Sequence, residues 1–229
     1  MKVSAIIVAA GKGLRMGGDK PKQFLELNGR PIICYTLDKF AQFTDWDISI
    51  AVEPDRVESF KEEIVERYDY PKSWRIVAGG EKRQDTVKNA LDLLPNETEI
   101  VLIHDGVRPF ITTEMIETSI ECAKMNDACL IASKVIPTIK EVDENGEVVR
   151  TIDRQRLWEA QTPQTFKKSL LLQAMQSACD DNFYGTDEAS LFERIGKKVF
   201  IIEGNATNIK ITRPEDLHLA CSILEMEVG

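Results

Sequence analysis

Short apolar runs that end in glycine or Asp-Gly, separated by stretches of helical periodicity, set the architecture this chain can adopt. Residues 3–10 are an apolar run that stops at Gly11. A run with almost no polar face must be buried on both sides, as a strand in a parallel sheet is. Residues 48–52, 74–78, 100–104 and 128–135 read as further strands, the third ending at Gly79-Gly80 and the fourth at Asp105-Gly106. Between them, 55–67 carries Val57, Phe60, Ile64 and Val65 at helical spacing, 85–94 is helical up to Pro95, and 113–125 is helical behind Thr112 or Thr113 as N-cap. Strand and helix in alternation predict an α/β, Rossmann-like three-layer sandwich with a mostly parallel sheet. Ligands of such sheets bind beyond the carboxyl ends of the strands, so the loops at Gly11, Gly79-Gly80 and Asp105-Gly106 should gather on one edge.

The alternation breaks at Pro137. Residues 138–142 and 147–152 are β-prone and flank Asp143-Glu144-Asn145-Gly146, and Asn-Gly between such runs is a strong hairpin signal. A hairpin inserted there, at about 137–155, is expected to project as a dimerisation arm. Beyond it, 168–178 and 186–195 read as helices, 199–203 and 208–211 as strands, and 214–226 as a helix with Pro214 at its start. No repeat or linker interrupts this pattern, so residues 1–229 are expected to form a single domain with an arm.

With 43% hydrophobic and 29% charged residues the chain is a globular protein rather than a disordered one. The net charge of −9 argues against binding nucleic acid or an acidic membrane through the overall field, and leaves small anionic ligands open. No apolar run reaches the roughly 20 residues of a membrane-spanning helix, and the N-terminal run is too short for a secretory signal. The five cysteines are scattered without a CxxC, and only His104 and His218 supply imidazoles, which disfavours a disulfide framework or a zinc site. A cytoplasmic, reduced protein is the expectation.

The loop after the first run concentrates charge. Lys12, Arg15, Lys20 and Lys22 place four cations within eleven residues, among Gly11, Gly13, Gly17 and Gly18. Glycines let a backbone approach phosphates closely, and unpaired N–H groups can cradle them. The dinucleotide fingerprint G-x-G-x-x-G is missed by one residue, and the P-loop pattern is absent. The plain alternative is a solvated surface loop. A polyphosphate explains the cations better, because a cation about 4 Å from a phosphate oxygen gains about 4 kcal/mol at an effective dielectric near 20. Arg15 can fork two oxygens, whereas Lys22 acts as a point charge.

Ala9-Ala10-Gly11-x-Gly13-x-Arg15-Met16, followed by Pro21-Lys22-Gln23, resembles the signature of sugar-phosphate nucleotidylyltransferases, and within them the 2-C-methyl-D-erythritol 4-phosphate cytidylyltransferase family. The resemblance spans nearly the whole chain. It is carried further by Gly79-Gly80-Glu81-x-Arg83, His104-Asp105-Gly106-Val107-Arg108-Pro109-Phe110, Asp153-Arg154, Thr162-Pro163-Gln164-x-Phe166, Thr186-Asp187-Glu188-Ala189-Ser190 and Asn208-Ile209-Lys210-Ile211-Thr212-Arg213-Pro214. It implies a fold of the nucleotide-diphospho-sugar transferase type and a transfer from CTP to a polyol phosphate, releasing pyrophosphate, with Mg²⁺. The attacking phosphate is already ionised, so the protein's task is positioning and charge neutralisation.

By that resemblance Arg15 and Lys22 stabilise the transition state and contact the CTP phosphates. Ala10, Gly11, Gly80, Glu81, Thr86 and Gly106 line the CTP site. Asp105 contacts the substrate and holds the metal, since a carboxylate beside phosphates calls for a divalent cation; the plain alternative is a turn residue or cap. Thr138 and Arg154, on the arm, grip the polyol phosphate across a homodimer, and Lys210 does so within its own subunit. Arg108 reads either as a phosphate ligand or as a loop-holding ion pair, Thr186 as an N-cap, and His104 as a satisfied strand-end histidine. Val107 is bulkier than the family commonly has, while Glu81 and Thr86 keep the usual chemistry. A ribitol 5-phosphate cytidylyltransferase and a non-catalytic nucleotide-binding module on the same fold are the alternatives.

Overall fold

The computed structural model describes residues 1–11 and 21–228. Seven strands form the main sheet: β1 (Lys2–Ala9), β4 (Asp47–Val52), β5 (Arg75–Ala78), β6 (Thr98–Asp105), β7 (Ala128–Lys134), β10 (Trp158–Lys167) and β11 (Phe200–Glu203). Their order is β11-β7-β10-β6-β1-β4-β5. Every neighbouring pair is parallel except those that β10 makes with β6 and β7. The chain runs from β1 outward to β4 and β5, then returns to place β6 on the other side of β1. The gap between the ends of β1 and β6 is thus a topological switch point, where open α/β sheets bind ligands.

The two-residue alternation of the strands sorts the core. Val3, Ala5, Ile7 and Ala9 of β1 face one side, with Ile100 and Leu102 of β6. There they meet Leu37 and Phe40 of α1 (Ile32–Ala41), Phe60 of α2 (Val57–Phe60), and Ile116 and Ile120 of α4 (Thr113–Asn126). Ile6, Val101, Ile103 and Phe166 face the other side. They are covered by Val87 and Leu91 of α3 (Arg83–Leu91), Leu171 and Met175 of α5 (Lys168–Asp180), and Phe192 of α6 (Glu188–Arg194). Burying a side chain of this size contributes about 1.5–3 kcal/mol, so this two-sided burial is what makes the three layers. The last helix, α7 (Pro214–Val228), sets Ala220 and Ile223 against Leu27, Ile32 and Phe110. Leu27 belongs to a small ribbon of β2 (Glu26–Leu27) and β3 (Arg30–Pro31).

A separate ribbon of β8 (Ile139–Val142) and β9 (Val148–Ile152) follows β7. Gly146 takes φ +85 in its turn, a left-handed value that glycine adopts without penalty. Residues 141–151 are exposed throughout.

The structure departs from the sequence expectations in several places. α1 lies in a stretch to which no element was assigned. β10 is a strand across the block expected only as a motif, and its pairing slips between Ala160 and Gln164, around Pro163. Residues 208–211, expected as a strand, are irregular. Asn208 there bonds into its own loop, and Ile211 N–H donates to Val107 O at 3.0 Å as a single backbone tie.

Candidate active site

A cavity of about 820 Å³ opens at the switch point. The ends of β1, β4, β5 and β6 wall it with Ala10, Gly11, Glu53, Gly80, Glu81 and Thr86, and Lys22, Arg83, Asp105 and Lys210 complete it. A second cavity of about 220 Å³ shares Arg83, Asp105 and Lys210 with the first. Arg108, Gln161, Thr162, Gln164, Thr186 and Asp187 form its remaining polar walls. The two spaces therefore meet over one carboxylate and two cations.

Close approach builds the first cavity. Gly79 N–H donates to Val52 O at 2.7 Å, and a Cβ on Gly79 would sit 2.5 Å from that of Ala10. Gly80 N–H donates to Thr86 Oγ1 at 3.0 Å, and that hydroxyl donates to Lys82 O at 3.0 Å, so the loop is tied to the start of α3. Buried Gln23 donates to Ala9 O at 2.6 Å and holds the end of β1. Lys22 Nζ donates to Ile211 O at 3.1 Å, which brings the loop after β1 to the segment before α7.

Asp105, at the end of β6, is the hub. Its Oδ2 lies 2.8 Å from Lys210 Nζ and 3.7 Å from Arg108 Nε, and its Oδ1 lies 3.4 Å from Arg83 Nη2. Burial by itself would raise the carboxyl. Arg83, Lys210 and Arg108 outweigh it and hold Asp105 well below the usual carboxylate range. Arg83 Nη1 also donates to both oxygens of Glu188 at 2.6 Å. Burial raises the Glu188 carboxyl, and Arg83 recovers only part of that rise. Breaking such a buried pair by removing one partner costs about 3–5 kcal/mol, so the cluster is held in one arrangement. Two carboxylates against three cations leave it net positive, which suits an anionic ligand.

Arg108 is buried, donating from Nη1 to Asn208 O at 2.7 Å. Its Nε has no hydrogen-bond partner. Arg108 thus holds its loop and also walls the second cavity. Burial drives His104 down to about 4, and its tautomer follows from its neighbours. Nε2 faces the Arg108 carbonyl at 3.2 Å and must carry the hydrogen, so Nδ1 accepts from Thr162 Oγ1 at 3.0 Å. Thr162 Oγ1 in turn accepts from Asp105 N–H at 3.1 Å. The histidine is spent on shaping the strand end.

Of the expected site residues, Ala10, Gly11, Lys22, Gly80, Glu81, Thr86, Asp105 and Lys210 line the first cavity. Arg15 lies outside the described residues, as do Lys12 and Lys20. Gly106 does not line either space: its N–H donates to Val8 O at 2.9 Å, its carbonyl accepts from Thr36, and a Cβ there would sit 2.5 Å from Ile33 Cδ1. Thr138 and Arg154 are exposed on the arm and its base, with Arg154 donating to Ile136 O, and line neither cavity of their own chain. Thr186 is not the N-cap of α6. Asp187 is, accepting from Ser190 N–H at 3.0 Å, and Thr186 walls the second cavity instead. Arg83, Arg108 and Glu188 sat inside quoted motif blocks, and their common cluster depends on contacts across more than a hundred residues.

The donors fit a magnesium ion in one way. Among the described residues no group of three His, Cys, Asp or Glu side chains is placed to hold a metal, and Asp105 is a single carboxylate already facing cations. Mg²⁺ commonly binds through one or two carboxylates together with substrate phosphates, so the ion would share Asp105 with the phosphates that carry it.

The model of the family described as IspD, 2-C-methyl-D-erythritol 4-phosphate cytidylyltransferase, matches residues 3–226. The chain is 43% identical over 229 residues to the 2-C-methyl-D-erythritol 4-phosphate cytidylyltransferase of Syntrophus aciditrophicus, covering 100% of this chain and 98% of that one. It is 44% identical to that of Geotalea uraniireducens, covering 98% and 97%. The crystal structure of 4-diphosphocytidyl-2C-methyl-D-erythritol synthase from Anaerococcus prevotii superposes with a TM-score of 0.85 at 33% identity, covering 98% of both chains. By its fold, its motif blocks and these full-length matches, the chain belongs to the 2-C-methyl-D-erythritol 4-phosphate cytidylyltransferase family.

Proposed function

We propose that this enzyme joins CTP and 2-C-methyl-D-erythritol 4-phosphate into 4-diphosphocytidyl-2-C-methyl-D-erythritol with release of pyrophosphate. The observation that carries this assignment of the site is the pair of cavities that meet over Arg83, Asp105 and Lys210. The larger takes the nucleotide and the smaller the polyol phosphate, whose phosphate oxygen attacks the α-phosphorus of CTP in line with the departing pyrophosphate. The nucleophile is ionised at neutral pH, and buried His104 is not needed as a base.

Lys22 and Arg15 neutralise charge that builds on the phosphates in the transition state, where cations fixed in advance act most strongly. Ala10, Gly11, Gly80, Glu81 and Thr86 seat the cytidine. Lys210, anchored on Asp105, positions the attacking phosphate. The orphaned Arg108 Nε gains a partner when a ligand oxygen enters the second cavity. Asp105 would hold a bound Mg²⁺, which would supply further neutralisation of the triphosphate.

Thr138 and Arg154 reach substrate from the arm of a second copy, in a homodimer of single-domain subunits with shared sites. Ile136, Val142, Val148 and Val149 support this, because each is more than half exposed on the arm, where a lone subunit leaves them in water. Among the described residues no helix is long and apolar enough to cross a membrane, and five free thiols suit the cytoplasm.

The deciding experiment follows pyrophosphate release from CTP with methylerythritol phosphate and with ribitol phosphate in parallel, with Mg²⁺ and with EDTA. Release with methylerythritol phosphate, abolished by EDTA and restored by Mg²⁺, is expected. Preference for ribitol phosphate overturns the substrate, and full activity in EDTA overturns the metal.

A further inference from the structure

Glu188 is 1% exposed and lines neither cavity, yet both its oxygens are taken by one nitrogen of Arg83. Arg83 is reachable, lining both cavities, with Nη2 turned to Asp105. We infer that Glu188 is a positioning residue for nucleotidyl transfer: it fixes one edge of the Arg83 guanidinium so that the other stays at the junction of the two cavities, where the phosphates meet. This rests on the reading of the site given above.

The guanidinium is a rigid planar fork, so fixing one edge fixes the other. Glu188 itself has little slack. The first turn of α6 is pinned to β10 by Gln164, which donates to Asp187 Oδ2 at 2.8 Å and accepts from Ala189 N–H at 3.0 Å. Asp187 also caps the helix. Deprived of the Glu188 charge, Arg83 has one carboxylate left within reach, Asp105. Turning both nitrogens onto it would draw Asp105 away from Lys210 and remove a cation from the junction. The loss then falls on the transfer reaction through Arg83, since Glu188 itself lines neither cavity.

The test is a mutant cycle read by pyrophosphate release with CTP and methylerythritol phosphate. It uses the full-length wild type, Glu188→Gln, Arg83→Ala and the double variant, each also melted thermally. Glu188→Gln should lower kcat/KM about tenfold or more, the scale on which outer positioning partners act. It should cause no further loss once Arg83 is alanine. Glu188→Asp, which keeps the charge, should recover part of the rate. Additive losses, or a Glu188→Gln enzyme of wild-type rate, overturn the inference. A merely structural glutamate would lower the melting temperature and leave the two losses additive. If Arg83→Ala turns over too slowly to follow, calorimetric binding of methylerythritol phosphate in the presence of a non-reactive CTP analogue is read by the same criterion. A wild type that releases no pyrophosphate refutes the reading of the site, whereas an active wild type with additive variants refutes only the role of Glu188.

Discussion

Lowering the pH should unfasten the end of β6 through His104. The imidazole is fully buried, with one nitrogen donating to a carbonyl and the other accepting from Thr162. A second ring proton would face a hydroxyl that already accepts from Asp105 N–H. Burial accordingly holds the group down, from 6.5 to about 4. Below 6.5 the unfolded chain takes up a proton that the folded chain refuses until about pH 4. This contribution to stability is therefore complete above 6.5 and lost as the pH falls through that window. The whole shift corresponds to about 3 kcal/mol, of which about 2 kcal/mol should be gone by about pH 5. Urea unfolding of the wild type and of His104→Gln, at about pH 7.5 and about pH 5, isolates the effect. Glutamine can donate and accept but does not titrate, so groups that behave alike in the two proteins cancel in the difference. The wild type should lose about 2 kcal/mol more than the variant between the two conditions. Equal losses, or an NMR titration placing His104 near 6.5, would refute the reasoning.

Further outcomes follow for single residues of the site and the arm. Gly80→Ala puts a methyl group against Asp85, 2.9 Å from its carbonyl carbon and 3.1 Å from Thr86 N. The start of α3 must move, at a cost of about 1–3 kcal/mol, and steady-state kinetics should show a raised KM for CTP; an unchanged KM would free this glycine from its role. Lys22→Ala should lower kcat about 100-fold, as loss of a transition-state charge partner does. Arg154→Ala should be comparably impaired. Mixing the two should restore activity, because one site of the mixed dimer keeps both residues, and no recovery despite demonstrated subunit exchange would exclude shared sites.

Much of this was legible in the sequence, for reasons that also mark where legibility stops. β1 and β6 announce themselves because both of their faces are apolar. The hairpin does so through Asn145-Gly146. β10 does not, since most of the residues it buries ahead of Phe166 are polar: Gln161, Thr162, Gln164 and Thr165. A central strand is normally free of proline, and Pro163 is accommodated only by the slip in pairing beside it. Gln161, Thr162 and Gln164 border the smaller cavity and Thr165 bonds Ser119, so the strand lacks an apolar pattern because its polar side chains are buried against partners of their own. The opposite error befell 208–211, whose Ile209 and Ile211 alternate like a strand but serve the contact with α7. Motif blocks located Asp105, Lys210 and Lys22. They could not show that Arg83 joins Glu188 to Asp105, because that cluster exists only after three distant elements pack.

Arg83, Asp105 and Lys210 belong to both cavities, whereas Gln161, Gln164 and Thr186 border only the smaller one. With the larger cavity for the nucleotide and the smaller for the acceptor, as proposed, a substitution in the shared trio would alter the handling of both reactants at once. The private walls of the smaller cavity carry no such burden. An ancestor with this layout could exchange one acceptor alcohol for another by changing those walls, its nucleotide chemistry left as it was. The proposed division of labour between the two cavities thus also marks the walls where a new acceptor preference would arise by few steps.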